Sequence, residues 1–170
     1  IYGTSGNTAY QYKLGKGRVN LFAAITDSIS PGVVLDNLVT RDGNDEVFIP
    51  GDTLDLTALF QNLLRPTSNL NCNLTSSSSY VTILNGSFNG GVLNTMDTIS
   101  NYTGTYKVKI NANAPLNQEV LFRITMIDGV WSDFYSFKIT VNVDYINIAV
   151  NDIATSITSK SLIGYNDDVQ

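Results

Sequence analysis

Arg41-Asp-Gly-Asn-Asp-Glu-Val-Phe-Ile-Pro-Gly-Asp-Thr-Leu-Asp-Leu-Thr-Ala-Leu-Phe-Gln-Asn62 joins two kinds of chemistry in one stretch. Residues 42–52 concentrate Asp, Asn and Gly, which tolerate left-handed backbone, and they carry Pro50-Gly51, a pair that favours a tight turn. From Thr53 the pattern alternates. Leu54, Leu56, Ala58 and Phe60 fall on one face, with Thr53, Asp55, Thr57 and Leu59 on the other. A period of two with one polar face describes a strand lying over a core. An acidic turn therefore feeds a long core strand.

Outward from that stretch the same grammar repeats. Val33-Val34-Leu35 and Leu38-Val39 predict a strand ahead of the turn. Residues 69–75 and 80–84 predict two short strands, with Leu70, Cys72 and Leu74 sharing a face. Residues 85–91 read as a Gly/Asn turn region, and residues 92–99 as a weak strand. Tyr106, Val108 and Ile110 alternate, as do Val120, Phe122, Ile124 and Met126 up to Asp128-Gly129. Asp-Gly between two alternating runs is a strong hairpin signal. The return strand puts Trp131, Asp133, Tyr135, Phe137, Ile139, Val141 and Val143 on one face. Seven to eight short strands with regular turn signals predict an all-β fold, an antiparallel immunoglobulin-like β-sandwich over residues 31–143. Phe60, Phe122, Trp131 and Phe137 are expected in its core.

Composition narrows the function. The chain of 170 residues is 43% hydrophobic and 15% charged, which describes a packed globular protein. Its net charge of -5, with basic residues scattered except for Lys13, Lys16 and Arg18, argues against nucleic acid as a partner. No apolar run is long enough to span a bilayer, and no charged-then-apolar leader begins at Ile1. The start on Ile1 is what a mature or excised piece would show. The chain has no histidine, so neither Ser-His-Asp nor Cys-His catalysis assembles from it alone, and zinc loses its commonest nitrogen ligand. The single cysteine, Cys72, reads as a small buried hydrophobe. No catalytic constellation is expected, and the chain by itself is not expected to be an enzyme.

The first thirty residues differ from the rest. Residues 1–12 are rich in Gly, Ser, Asn and Tyr. In Gly15-Lys-Gly-Arg-Val-Asn-Leu-Phe-Ala-Ala-Ile25 the glycines give a turn, and Val19, Phe22, Ala23 and Ile25 space like one face of a short N-terminal helix. Ser30-Pro31-Gly32 stops it. This stretch, with Tyr10-Gln-Tyr-Lys-Leu14 before it, resembles the last helix of the catalytic domain of subtilisin-like serine proteases, the subtilase family. Gly3-Thr4-Ser5 lacks the Met-Ala-x-Pro continuation of that family's nucleophile motif and lies too close to the helix, so no catalytic role carries over to Ser5. Residues 33–143 likewise resemble an immunoglobulin-like accessory module found downstream of catalytic domains in secreted bacterial proteases. The shared marks are Asp42-Gly-Asn-Asp-Glu46, Pro50-Gly51-Asp52 and the alternating strand that follows.

Residues 144–170, where strand-like fragments such as Tyr145-Ile-Asn-Ile-Ala-Val150 restart, are expected as a linker and the start of a following β segment, or as a hairpin added to the sandwich. The resemblance implies residues 1–30 as the end of a subtilase-like catalytic domain and 31–143 as the sandwich. It implies a stabilising, spacing or orienting role in a secreted or cell-surface protein. The partners would be the parent catalytic domain and a cell-surface, protein or polysaccharide substrate.

Two candidate sites come from the residues themselves. Asp42, Asn44, Asp45, Glu46 and Asp52 offer oxygen ligands that suit calcium, although the helix-loop-helix calcium pattern fails at Val47 and Thr53. The other reading is a solvated acidic turn held by Asx hydrogen bonds. Tyr80, Tyr102 and Tyr106, if exposed, would offer stacking faces for sugars, the mark of an adhesion or carbohydrate-binding module. Asp52 and Asp55 invite comparison with a glycosidase pair, but neighbours at an exposed strand start read as solvated.

Overall fold

The computed structural model describes residues 29–43 and 46–143. The expected N-terminal helix and the strand-like fragments after Val143 lie outside the described residues.

The described residues form nine strands: β1 (Val33–Arg41), β2 (Thr53–Asn62), β3 (Leu70–Thr75), β4 (Val81–Asn85), β5 (Ser87–Gly91), β6 (Thr98–Ser100), β7 (Tyr106–Ile110), β8 (Gln118–Asp128) and β9 (Trp131–Val141). They make two antiparallel sheets. One runs β1-β2-β7-β4 with β6 also against β2; the other runs β5-β3-β8-β9. The alternation in β2 holds without a slip: Leu54, Leu56, Ala58, Phe60 and Asn62 are all buried. Leu54, Leu56, Ala58 and Phe60 meet Leu70, Cys72 and Leu74 from β3, and Val120, Phe122, Ile124 and Met126 from β8, in one core.

The chain departs from the expected strand list between β3 and β7. Residues 87–91, expected as a turn, form β5 and pair with β3, and Phe88 stacks on Phe60 at 6.0 Å. Of residues 92–99, only Thr98 and Ile99 join a strand. The reason lies at Gly86. β4 belongs to one sheet and β5 to the other, so the chain crosses the sandwich edge at this one residue. Leu74 donates its N–H to the Gly86 carbonyl at 2.7 Å, and a Cβ there would come within 2.8 Å of the Leu74 carbonyl oxygen. Only glycine fits that approach.

β2 also changes partners along its length. Residues 53–56 pair with β7 and residues 59–61 with β6. In the gap stands Asn101, fully buried, whose side-chain oxygen accepts the Ala58 N–H at 2.7 Å and whose amide donates to the Leu56 carbonyl at 3.1 Å. A side-chain amide here substitutes for a strand.

β9 corrects the expected core. Ile139 and Val141 are buried, but Trp131 and Phe137 are half-buried and Tyr135 is exposed. Among the described residues β9 pairs only with β8, so the outer part of its inward face lies at the open side of the described sandwich, although Phe137 still stacks on Phe122 at 5.4 Å. On the outer face of β8, the Arg123 guanidinium lies 3.9 Å above the Phe134 ring, which makes this an occupied position.

Antiparallel pairing sorts the connections into two poles. The upper pole gathers residues 29–32, 63–69, 92–97 and the β8–β9 turn; the lower pole gathers residues 42–43, 46–52, 76–80, 111–117 and 142–143. The chain enters the sandwich at the upper pole and leaves it at the lower one.

Candidate functional site

At the lower pole the acidic turn is built into the sandwich. Gly51 donates its N–H to the Ile110 carbonyl at 3.0 Å, and Ile110 returns its own to the Asp52 carbonyl at 2.9 Å. Asn142 donates its N–H to the Phe48 carbonyl, and Phe48 packs against the core. Each described carboxylate then has its own partner. An Asp42 oxygen accepts the Glu46 N–H at 3.1 Å, which holds Glu46 in its left-handed conformation (φ 61°). The Glu46 carboxylate pairs with Arg41 at 3.2 Å, and Asp52 accepts the Ile49 N–H at 2.8 Å. Asn44 and Asp45 lie outside the described residues. Among the described residues, no three His, Cys, Asp or Glu side chains gather as a metal site.

Asp55 is not paired with Asp52. Its carboxylate accepts from Lys107 at 2.6 Å and from Thr105 at 2.7 Å, and these bonds hold it below the usual carboxylate range. The tyrosine platform is also not assembled. Tyr106 is fully buried and its hydroxyl donates to the Cys72 carbonyl at 3.2 Å, so burial pushes the phenol well above its ordinary value. Tyr80 is half-buried against the core; Tyr102 alone of the three is exposed, at 78%. Cys72 is buried as expected, and desolvation pushes its thiol up to about 12, far from a reactive thiolate. Between the edge strands β1 and β9 lies a groove of about 370 Å³, lined by Leu35, Leu38, Tyr135 and Phe137 together with Asp36 and Lys138.

The upper pole holds what the sequence did not announce. Asn62, fully buried at the end of β2, accepts the N–H groups of Gly32 at 3.1 Å and Leu64 at 3.3 Å. Its amide donates to the carbonyls of Arg65 at 2.7 Å and Leu93 at 3.0 Å. Buried Thr67 accepts the Leu93 N–H and donates to the Gly91 carbonyl. Asp128 was expected inside the hairpin turn. Instead it ends β8, and the two-residue turn is Gly129-Val130, with Gly129 at φ 59°. The Asp128 carboxylate crosses to the β2–β3 loop, accepting the Ser68 and Asn69 N–H groups at 3.0 and 2.7 Å and the Ser68 hydroxyl. Burial opposes its charge, yet these bonds outweigh burial and leave its pKa lowered.

Around this polar frame the upper pole exposes apolar side chains: Leu63, Leu64, Val92, Met96 and Val130. Met96 sits in the left-handed region at φ 67° with its N–H donated to the Asn62 carbonyl.

The comparisons bear on the fold. No family model matches the chain, and no curated protein matches it in sequence. Among solved structures it is similar to native alpha-2-macroglobulin from Escherichia coli, spanning the residues from domain MG7 to the C-terminus. The TM-score is 0.50 at 19% identity, over 67% of this chain and 17% of that one. The fold is an immunoglobulin-like β-sandwich. At that identity the likeness shows the architecture alone, and the chain corresponds to a small part of the longer protein.

Proposed function

We propose that the chain is a non-catalytic accessory module of a secreted subtilisin-like serine protease, set directly after the catalytic domain. The observation that carries the reading is the junction. The subtilase-like stretch at residues 15–25 runs within a few residues into a sandwich that the chain enters at one pole and leaves at the other. That geometry suits a spacer in a linear array, and alpha-2-macroglobulin supplies a case of a similar fold occurring as part of a much longer chain. The chemistry supports a supporting role: no histidine in the sequence, a buried thiol, and described carboxylates engaged in ion pairs and turn bonds. The carbohydrate-binding alternative loses the buried Tyr106 and the half-buried Tyr80 from its stacking face.

The reading is tested in the parent gene and with the protein. The coding sequence upstream of Ile1 is expected to hold a Gly-Thr-Ser-Met-Ala segment within several tens of residues. An upstream frame without it ends the protease assignment. Turnover of peptide or glycoside substrates by the chain alone would end the non-catalytic one.

A further inference from the structure

In an Asn-Gly pair the side-chain amide is open to attack by the next main-chain nitrogen, because no Cβ on the glycine hinders ring closure. The sequence holds two such pairs, Asn85-Gly86 and Asn89-Gly90. The fold treats them differently. Asn85-Gly86 is locked: the Asn85 amide donates to the Thr105 carbonyl at 2.8 Å, and Gly86 is pinned against Leu74 where the chain crosses between the sheets. Asn89-Gly90 lies on β5, which among the described residues ends its sheet and pairs only with β3. There Leu70 opposes Gly91 and Asn71 opposes Asn89, so Gly90 is the extra residue of a bulge. Asn89 itself is exposed. Gly91 follows at φ 61° and donates its N–H to the Asn89 side-chain oxygen at 2.8 Å. This is an Asx turn, which folds the side chain toward the peptide that follows it. The same bond draws electron density from the carbonyl to be attacked.

We propose that Asn89 is a self-modification site, at which the Gly90 nitrogen attacks the Asn89 Cγ and water completes the conversion. The new C–N bond closes a five-membered succinimide; the side-chain nitrogen leaves as ammonia, taking the Gly90 N–H proton. Water then adds to either imide carbonyl and opens the ring, to aspartate or to isoaspartate. Neither step needs an oxidant or a cofactor. The product exchanges a neutral donor for a carboxylate. The Asn89 amide donates to the Asn69 side-chain oxygen at 3.2 Å, a bond that the carboxylate cannot make. The isoaspartate form also lengthens the main chain of β5. Both changes loosen β5 from β3. The inference is independent of the protease reading.

The test incubates the full 170-residue chain at mildly alkaline pH, where the glycine nitrogen loses its proton more readily. Both sites are then mapped by mass spectrometry after digestion in acid. In urea the two pairs stand in unfolded chain and are expected to convert at similar rates. In the folded chain Asn89 is expected to convert about tenfold faster than Asn85, since a bulged edge opens at lower cost than a sheet crossing. Asn89→Gln is expected to abolish conversion at that position and to leave Asn85 unchanged. Equal rates in the folded chain overturn the proposal. So does faster conversion of Asn85, or of neither site while both convert in urea. The same incubation is expected to lower the urea midpoint of the parent chain but not of Asn89→Gln. A parent midpoint that stays in place while Asn89 converts would overturn the loosening of β5.

Discussion

The two poles of this sandwich are closed by different means. At the lower pole the backbone closes itself: Gly51, Ile110, Phe48 and Asn142 exchange main-chain bonds, and Asn117 and Asn142 take the left-handed conformations that asparagine tolerates. At the upper pole buried side chains are added to main-chain bonds from Leu63 to Gly32, Thr67 to Leu93 and Met96 to Asn62. Asn62, Thr67 and Asp128 are buried polar groups that bind loop backbone, while the surface over them is apolar and includes a left-handed methionine. A pole closed by backbone keeps its surface free for charge. A pole whose loops are also held by buried side chains carries its apolar residues on the surface, where Leu64, Val92, Met96 and Val130 are exposed.

The largest effect expected among the charged groups is at Asp128. Asp128→Ala strands the Ser68 and Asn69 N–H groups and is expected to cost about 1–3 kcal/mol in urea unfolding. The sign of its pH dependence follows from a lowered folded-state pKa. The contribution is present above the unfolded value of about 3.9 and is lost as pH falls through the folded value. Asp128→Asn should therefore flatten the loss of stability on acidification. An Asn variant with the parent's acid profile would remove Asp128 from the frame of the upper pole.

At the lower pole Asp52→Ala removes one bond to Ile49 from a turn that keeps its main-chain bonds. The expected cost is about 1 kcal/mol. The same melts with millimolar calcium and with chelator are expected to coincide, since Asp42 and Asp52 hold backbone and Glu46 holds Arg41. A rise with calcium that Asp42→Ala abolishes would make this pole a metal site. The smallest effect is expected at Val130→Thr, within roughly 0.5 kcal/mol, because the side chain touches no core. A larger loss would show that the apolar surface belongs to the fold.

What the sequence showed and what it hid divide along the same line. Alternation made β2, β7 and β8 legible, because each buries every second side chain and leaves no ambiguity of face. β5 was hidden in Ser87-Phe-Asn-Gly-Gly91, whose composition reads as a turn; pairing with β3 and the stack of Phe88 on Phe60 override it. Trp131 and Phe137 were placed on the correct face and given too much burial, since periodicity shows which side a residue takes but not that its strand ends a sheet. The acidic turn was legible as a turn. Asn62, Asn101 and Asp128 were not legible at all as structural groups, because their partners lie 30 to 60 positions away or on irregular backbone that no local pattern announces.

The contrast between the poles is tested most directly by one substitution made at each, Asn62→Ala and Asn142→Ala, followed by urea unfolding of the full chain. Asn62 is fully buried with both ends of its amide bonded to backbone, whereas the Asn142 amide donates a single bond, to the Ala114 carbonyl at 2.8 Å. We expect Asn62→Ala to cost on the order of 3–5 kcal/mol and Asn142→Ala about 1–2 kcal/mol, the latter including the left-handed strain on alanine. Equal losses at the two positions would contradict the account, because the upper pole would then be held no differently from the lower.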